Sequence, residues 1–268
     1  MSSIESGFAE VNGTRLYYEH AGEGDPIVLI HGNFGDCRHW DDQFSALAEG
    51  CTVLRYDCRG FGKSSRPVEG EPYSHHDDLK VLMSHLVMQE AHICGVSMGC
   101  GIAVDFVLVY PEMSRSLIAV GPWANGYTSP KAEELFSEVR KIPRTLKEKG
   151  PEEALAQEWD YIFAQKLGCR GDLRLREIGK NYSFWHYTNE DPAVGLRPPA
   201  ALQLGKIGVP TLIVTAEYDV PACIEIADLM ERDIPNSQKV VFTDASHLMN
   251  IDEPEEFNKL VLDFIGDL

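Results

Sequence analysis

The chain has 268 residues, 44% hydrophobic and 25% charged, enough to bury a sizeable core in the manner of an ordinary globular protein. Its formal charge of −18, with a pI near 4.8, argues against nucleic acid or an anionic membrane as partner, because phosphates require clustered Lys and Arg. Residues 1–7 hold no basic segment followed by an apolar one, and no apolar run approaches the ~20 residues that span a bilayer, so neither a signal peptide nor a membrane anchor is expected.

In chain order, short β-branched runs alternate with helical stretches as far as about Pro122, and again from about Ile207 onward. Strands are expected over residues 16–20, 27–30, 52–56, 91–96, 117–121, 211–215 and 239–243. Several are apolar throughout rather than alternating, which suits parallel strands covered on both faces. Leu79, Leu82, Met83 and Leu86 repeat at helical spacing, and residues 98–110 read as a buried helix. After Pro254, so do Phe257, Leu260, Val261, Phe264 and Ile265. The alternation predicts an α/β fold, a doubly wound parallel sheet.

Residues 124–203 break this rhythm. Charged helical stretches over 129–149, 152–166 and 173–180 are separated by Gly150-Pro151, residues 168–171 and Asp191-Pro192, with no convincing strand. We expect a core domain formed by residues 1–123 and 204–268, with 124–203 as a helical cap over the C-terminal edge of the sheet, where open α/β folds bind ligands. The alternative is a separate helical domain, since about 80 residues can fold alone.

The segment Gly95-Val96-Ser97-Met98-Gly99 lies at a strand-to-helix junction. A Gly-x-Ser-x-Gly in that context is a nucleophile elbow, a sharp turn that lifts the serine hydroxyl clear of the backbone. The pentapeptide alone is weak, with about 0.1 chance matches in a chain of this composition, so its surroundings must carry the argument. A serine nucleophile needs a base, and the base needs an orienting carboxylate. His247 follows the strand expected at 239–243 and precedes the last helix, while Asp219 follows the strand expected at 211–215. The order Ser97, Asp219, His247 is nucleophile, acid, base. Glu217 is the alternative acid.

An oxyanion needs donors. The backbone N–H of Met98 would supply one, and the loop from His31 to Asp36 the other, through Asn33 or alternatively Phe34. His31 is expected to brace this loop.

Here the chain resembles the α/β-hydrolase family, nearly end to end outside the cap. The resemblance is carried by the His31-Gly32 loop, the segment from Tyr56 to Ser64, the elbow, the Asp219 turn and the segment from His247 to Phe257. It implies a mostly parallel eight-stranded sheet with helices on both faces. It also implies a serine hydrolase acting on a small, largely apolar ester or lactone with water, without metal or organic cofactor. Ser97 rather than Asp at the nucleophile position speaks against similarity to haloalkane dehalogenases and epoxide hydrolases. The His31 loop lacks the glycine- and proline-rich runs of carbon–carbon bond hydrolases and proline iminopeptidases. The nearest motifs are those of carboxylesterases, cofactor-free perhydrolases and 3-oxoadipate enol-lactonases, although Cys100 departs from the elbows those families often carry. A triad-retaining ligand receptor and an acyltransferase are the alternatives.

Phe34, Met98, Trp123, Trp185, His186, Leu248 and Met249 are candidates for an apolar acyl pocket. His75-His76-Asp77-Asp78 looks like a metal site, but acidic residues in a first helical turn also suit the helix dipole. Asp57 and Arg59 are expected to pair with each other. The seven cysteines, odd in number and without a C-x-x-C pair, fit a reduced, cytoplasmic protein better than a zinc site. The sequence leaves monomer and homodimer open.

Overall fold

The computed structural model describes residues 4–268. Eight strands form one sheet: β1 (Glu5–Val11), β2 (Thr14–Ala21), β3 (Asp25–Ile30), β4 (Cys51–Tyr56), β5 (Ala91–Val96), β6 (Ser114–Val120), β7 (Thr211–Tyr218) and β8 (Ser237–Ser246). Their spatial order is β1-β2-β4-β3-β5-β6-β7-β8. The β1–β2 and β2–β4 pairings are antiparallel, and every other pairing is parallel. The fold is therefore the mostly parallel α/β sheet that the alternation predicted.

Side-chain alternation sorts the sheet into two cores. Val28 and Ile30 of β3, Ala91 and Ile93 of β5, and Leu117 and Ala119 of β6 face one side. There they meet α2 (His75–His85), α3 (Met98–Val109) and α9 (Pro221–Asp233). Ile27, Leu29, Cys94, Val96, Ile118 and Val120 face the other, against α1 (Asp41–Leu47) and α11 (Pro254–Gly266). Because both faces are covered, the central strands carry no polar side and read as unbroken apolar runs.

The strand missing from the sequence expectation is β1. It pairs with β2 across a two-residue turn in which Asn12 and Gly13 both have positive φ, 49° and 69°. An Asn-Gly pair between such runs is a strong hairpin signal. This edge strand is thinly apolar, with Phe8 on its exposed side beneath Arg15.

Between β6 and β7 the chain leaves the sheet for five helices: α4 (Pro130–Val139), α5 (Ile142–Lys149), α6 (Pro151–Ile162), α7 (Arg170–Ile178) and α8 (Trp185–Thr188). The single helix expected over 129–149 is two, joined at Arg140 and Lys141, with Pro143 in the first turn of the second. The remaining helix, α10 (Met249–Asp252), leads into α11. Among the described residues no helix is long and apolar enough to cross a membrane. All seven cysteines are unpaired, and six are buried.

One close approach fixes how the sheet meets its helices. A Cβ at Gly99 would overlap the carbonyl oxygen of Ile30 at the end of β3, and a Cβ at Gly95 would overlap the carbonyl of Gly99 itself. Backbone cannot retreat as a flexible side chain can. Gly99→Ala should therefore cost more than about 2 kcal/mol in urea unfolding. Gly208→Ala, on an exposed loop with nothing within 4 Å, should stay within about 0.5 kcal/mol of wild type. Equal stabilities for the two variants would contradict this account.

Candidate active site

The site stands at the C-terminal ends of β3, β5, β7 and β8, the edge to which parallel strands deliver their loops. Val96 ends β5 and Met98 starts α3, so Ser97 must turn the chain in a single residue. It does so at φ 56°, ψ −116°, outside the regions that a side chain ordinarily adopts. Its own N–H donates to the Val120 carbonyl at 2.9 Å, which ties the turn to β6. Met98 is the first residue of α3, where backbone N–H groups have no intrahelical acceptor.

Strands β7 and β8 run further than the sequence suggested, to Tyr218 and Ser246, so Asp219 and His247 follow their strands directly. Both are buried, and His247 Nδ1 lies 2.6 Å from Asp219 Oδ1. That same oxygen accepts the Val220 N–H at 2.7 Å, and the other accepts the Thr215 hydroxyl at 3.1 Å. A carboxylate that already accepts two donors offers only an acceptor to the ring, so His247 carries its proton on Nδ1 and leaves the Nε2 lone pair free. Glu217, the alternative acid, points elsewhere: it is exposed and accepts the Asp244 N–H at 3.2 Å. Cys223 lies within 4.8 Å of Asp219 and His247, but burial and the Asp219 charge raise its thiol well above the usual range. In the grouping of Asp36, Cys37 and Asp57, Asp57 accepts the N–H groups of Cys37 and Lys63, and Asp36 accepts from Arg38.

The loop after β3 is braced from below by two histidines. His31 Nδ1 lies 2.7 Å from the Gly32 carbonyl and so holds the proton, while its Nε2 accepts the Cys58 N–H at 3.0 Å. His39 Nδ1 accepts the Gly32 N–H at 3.1 Å. Burial pushes the His39 imidazole down to about 3, so it stays a neutral acceptor. Within the loop, Asn33 uses its side-chain oxygen to take the Phe34 N–H at 2.9 Å and its amide to reach the Tyr187 hydroxyl at 2.7 Å. Of the two backbone donors considered in this loop, the Phe34 N–H is thus occupied. Gly32 is close enough that a Cβ there would sit 3.4 Å from the Ser97 Cβ, so loop and elbow touch.

A cavity of about 490 Å³ opens beside these groups, with Ser97, Met98, Asn33, Phe34, His247 and Leu248 in its wall. Trp123 lines it too, while Met249 is packed in the core instead. Trp185 and His186, expected at the pocket, lie away from it. Trp185 is buried in the protein core, and His186 stacks on Phe61 at 4.6 Å while its Nδ1 contacts Asp191 at 2.9 Å. Their neighbour Tyr187 faces the cavity, stacked on Phe34 with centroids 5.4 Å apart. Arg59 also departs from expectation. It pairs with Asp78 at 2.7 and 2.8 Å, not with Asp57, so the first turn of α2 serves as an anchor for the segment after β4.

Two carboxyl groups in the cavity wall had no signal in the sequence. Burial raises Asp105 of α3 to about 6, against the opposing hydrogen bond from Asn125. Burial pushes Glu158 of α6 up to about 7, with the charge of Glu138 adding to the effect. Only their placement in three dimensions distinguishes them from the other acidic residues of an acidic chain.

Together the sheet, the elbow on β5, and the acid and histidine after β7 and β8 define a hydrolase-type α/β protein. The chain belongs to the alpha/beta hydrolase family, whose sequence model matches residues 27–260. It is 27% identical over 261 residues to a protein of Azorhizobium caulinodans provisionally named carbamate hydrolase RutD, covering 94% of this chain and 96% of that one. The enol-lactonase from Burkholderia xenovorans LB400 superposes with a TM-score of 0.77 at 27% identity, over 97% of this chain and all of the other. An esterase from Thermogutta terrifontis superposes with a TM-score of 0.82 at 23% identity, over 98% of both chains.

Glu158 gives the site a pH signature. Its folded value lies above the ordinary 4.5, so the folded protein retains a proton that the unfolded chain releases. The stability this confers is complete below about pH 4.5 and is lost as the pH rises through about 7. Glu158→Gln should therefore melt above wild type at pH 8, by an amount equivalent to on the order of 3 kcal/mol, with the gap closing as the pH falls to 4.5. Parallel melting curves across that range would exclude the account.

Proposed function

We propose that this protein is a serine hydrolase that cleaves small, largely apolar carboxylic esters or lactones through an acyl-enzyme on Ser97. The observation that carries the reading is the 2.6 Å contact between buried His247 and Asp219, with His247 and Ser97 in the wall of one cavity. In this reading Ser97 Oγ attacks the substrate carbonyl and His247 Nε2 takes its proton. Asp219 holds the ring in the required tautomer and stabilises the imidazolium. The N–H groups of Met98 and Asn33 receive the oxyanion, aided by the start of α3. His247 then returns the proton to the leaving alcohol and draws one from water for deacylation, which restores the serine.

Residues 124–203 act in this reading as a cap. The support is that α4, α6, α7 and α8 contribute Leu135, Phe136, Val139, Ile162, Leu175 and Tyr187 to the cavity wall, so the apolar part of the substrate would lie against them. The Asn33–Tyr187 hydrogen bond would couple the placement of the cap to that of the oxyanion donor. A carbamate, as in the name of the Azorhizobium relative, is an acyl group that the same machinery would accept.

Ser97→Ala should lower kcat/KM for p-nitrophenyl butyrate by at least about 10³-fold, and Asp219→Asn by a comparable factor, because the triad acts as a unit. A fluorophosphonate should label wild type at Ser97 and leave Ser97→Ala unlabelled by mass spectrometry. Undiminished turnover in Ser97→Ala would end this reading.

A further inference from the structure

The cavity beside Ser97 is acidic within its apolar wall. Asp105 and Glu158 both line it, and among the described residues no lysine or arginine does. Asp105, 5% exposed, has one oxygen held by Asn125 Nδ2 at 2.9 Å and the other without a donor. Glu158 is 3% exposed, its Oε2 has no donor, and it forms no ion pair among the described residues. It belongs to α6 and shares the cavity wall with Val139, Ile162, Leu175 and Tyr187, side chains that suit an apolar substrate and give no reason for a carboxyl.

A buried carboxyl without a donor costs free energy whichever way it titrates, and such groups in folded proteins call for an explanation. Tyr187 does not relieve it: its hydroxyl accepts from Asn33, and no hydrogen bond joins it to Glu158. A purely apolar acyl chain would leave Oε2 as it is. A carboxylate-bearing substrate would meet two acids and no cation. An N–H donor, above all a protonated amine, satisfies the oxygen and neutralises the charge at once. The net charge of −18 favours the approach of such a cation as well.

We propose that Glu158 is a specificity residue and that the favoured substrate is an ester or lactone carrying a protonated amine, bound with its ammonium at Glu158 and its carbonyl at Ser97. This rests on the acyl-enzyme reading for the position of the carbonyl, and on the cavity alone for the position of the amine. No bond to Glu158 forms or breaks.

The test compares p-nitrophenyl ω-aminohexanoate with the neutral heptanoate ester and the carboxylate-ended adipate monoester. Wild type should prefer the ammonium ester over the neutral one by about tenfold in kcat/KM, and disfavour the adipate. The ammonium-to-neutral ratio should fall close to one in Glu158→Gln and persist in Asp105→Asn. A wild-type ratio of one or below overturns the proposal. So does a ratio unchanged in Glu158→Gln, or one lost only in Asp105→Asn. A second arm is independent of chemistry: calorimetry of hexylammonium with Ser97→Ala, with and without Glu158→Gln. Binding that requires Glu158 upholds the assignment even if Ser97→Ala keeps its turnover and the acyl-enzyme reading falls. Absence of binding, or binding indifferent to Glu158, overturns it.

Discussion

The contact on which the site depends is between two stretches of backbone. At the elbow, Gly99 approaches the Ile30 carbonyl so closely that a single methyl group would separate them. That approach brings the first turn of α3 against the end of β3, and Gly32 of the following loop against Ser97. Every further feature inherits this spacing. The left-handed turn at Ser97 is sustainable because strands on either side of β5 hold its ends, and those strands are buried on both faces. The strain at Ser97 is set in a core of ordinary packed aliphatic side chains.

Around that contact the polar groups form a scaffold of neutral acceptors and committed acids. His31 and His39 accept backbone N–H groups in the interior, and burial lowers the affinity of both for a second proton. Asp57 accepts amides of two loops, and Arg59 is held by Asp78. These buried charges have their donors, which is the condition for tolerating them. Glu158 breaks that pattern. No donor among the described residues reaches it, whereas Asp105 in the same wall has one from Asn125, and it sits in the cavity where a ligand would supply one. The contrast between satisfied scaffold and unsatisfied wall separates residues that hold the site from a residue that would read its substrate.

The comparison of sequence and structure divides along the same line. The parallel strands were legible because double burial removes the polar alternation and leaves apolar runs. The residues at their ends followed, since Asp219 and His247 come directly after β7 and β8. Strand β1 was missed although Asn12-Gly13 marked its turn, because an edge strand buried on one side shows few apolar residues. In the run Trp185-His186-Tyr187 the pocket residue was misplaced by a position or two. A four-residue helix has no periodicity from which to read its phase, and only the packing of Phe34 against Tyr187 selects the inward side.

What the sequence by itself determined was whatever depends on local backbone geometry and on the order of elements: the α/β class, the elbow, the candidate nucleophile, acid and base, and the helical interruption after β6. These follow from spacing along the chain, which one dimension records in full. The tertiary structure alone decided the partners of side chains far apart in sequence. It set Arg59 against Asp78, His39 beneath Gly32, and Glu158 in a wall shared with Ser97. An acidic residue is the same letter whether solvated on a helix or buried without a donor. Its chemistry is fixed by the dielectric and the neighbours that folding brings to it.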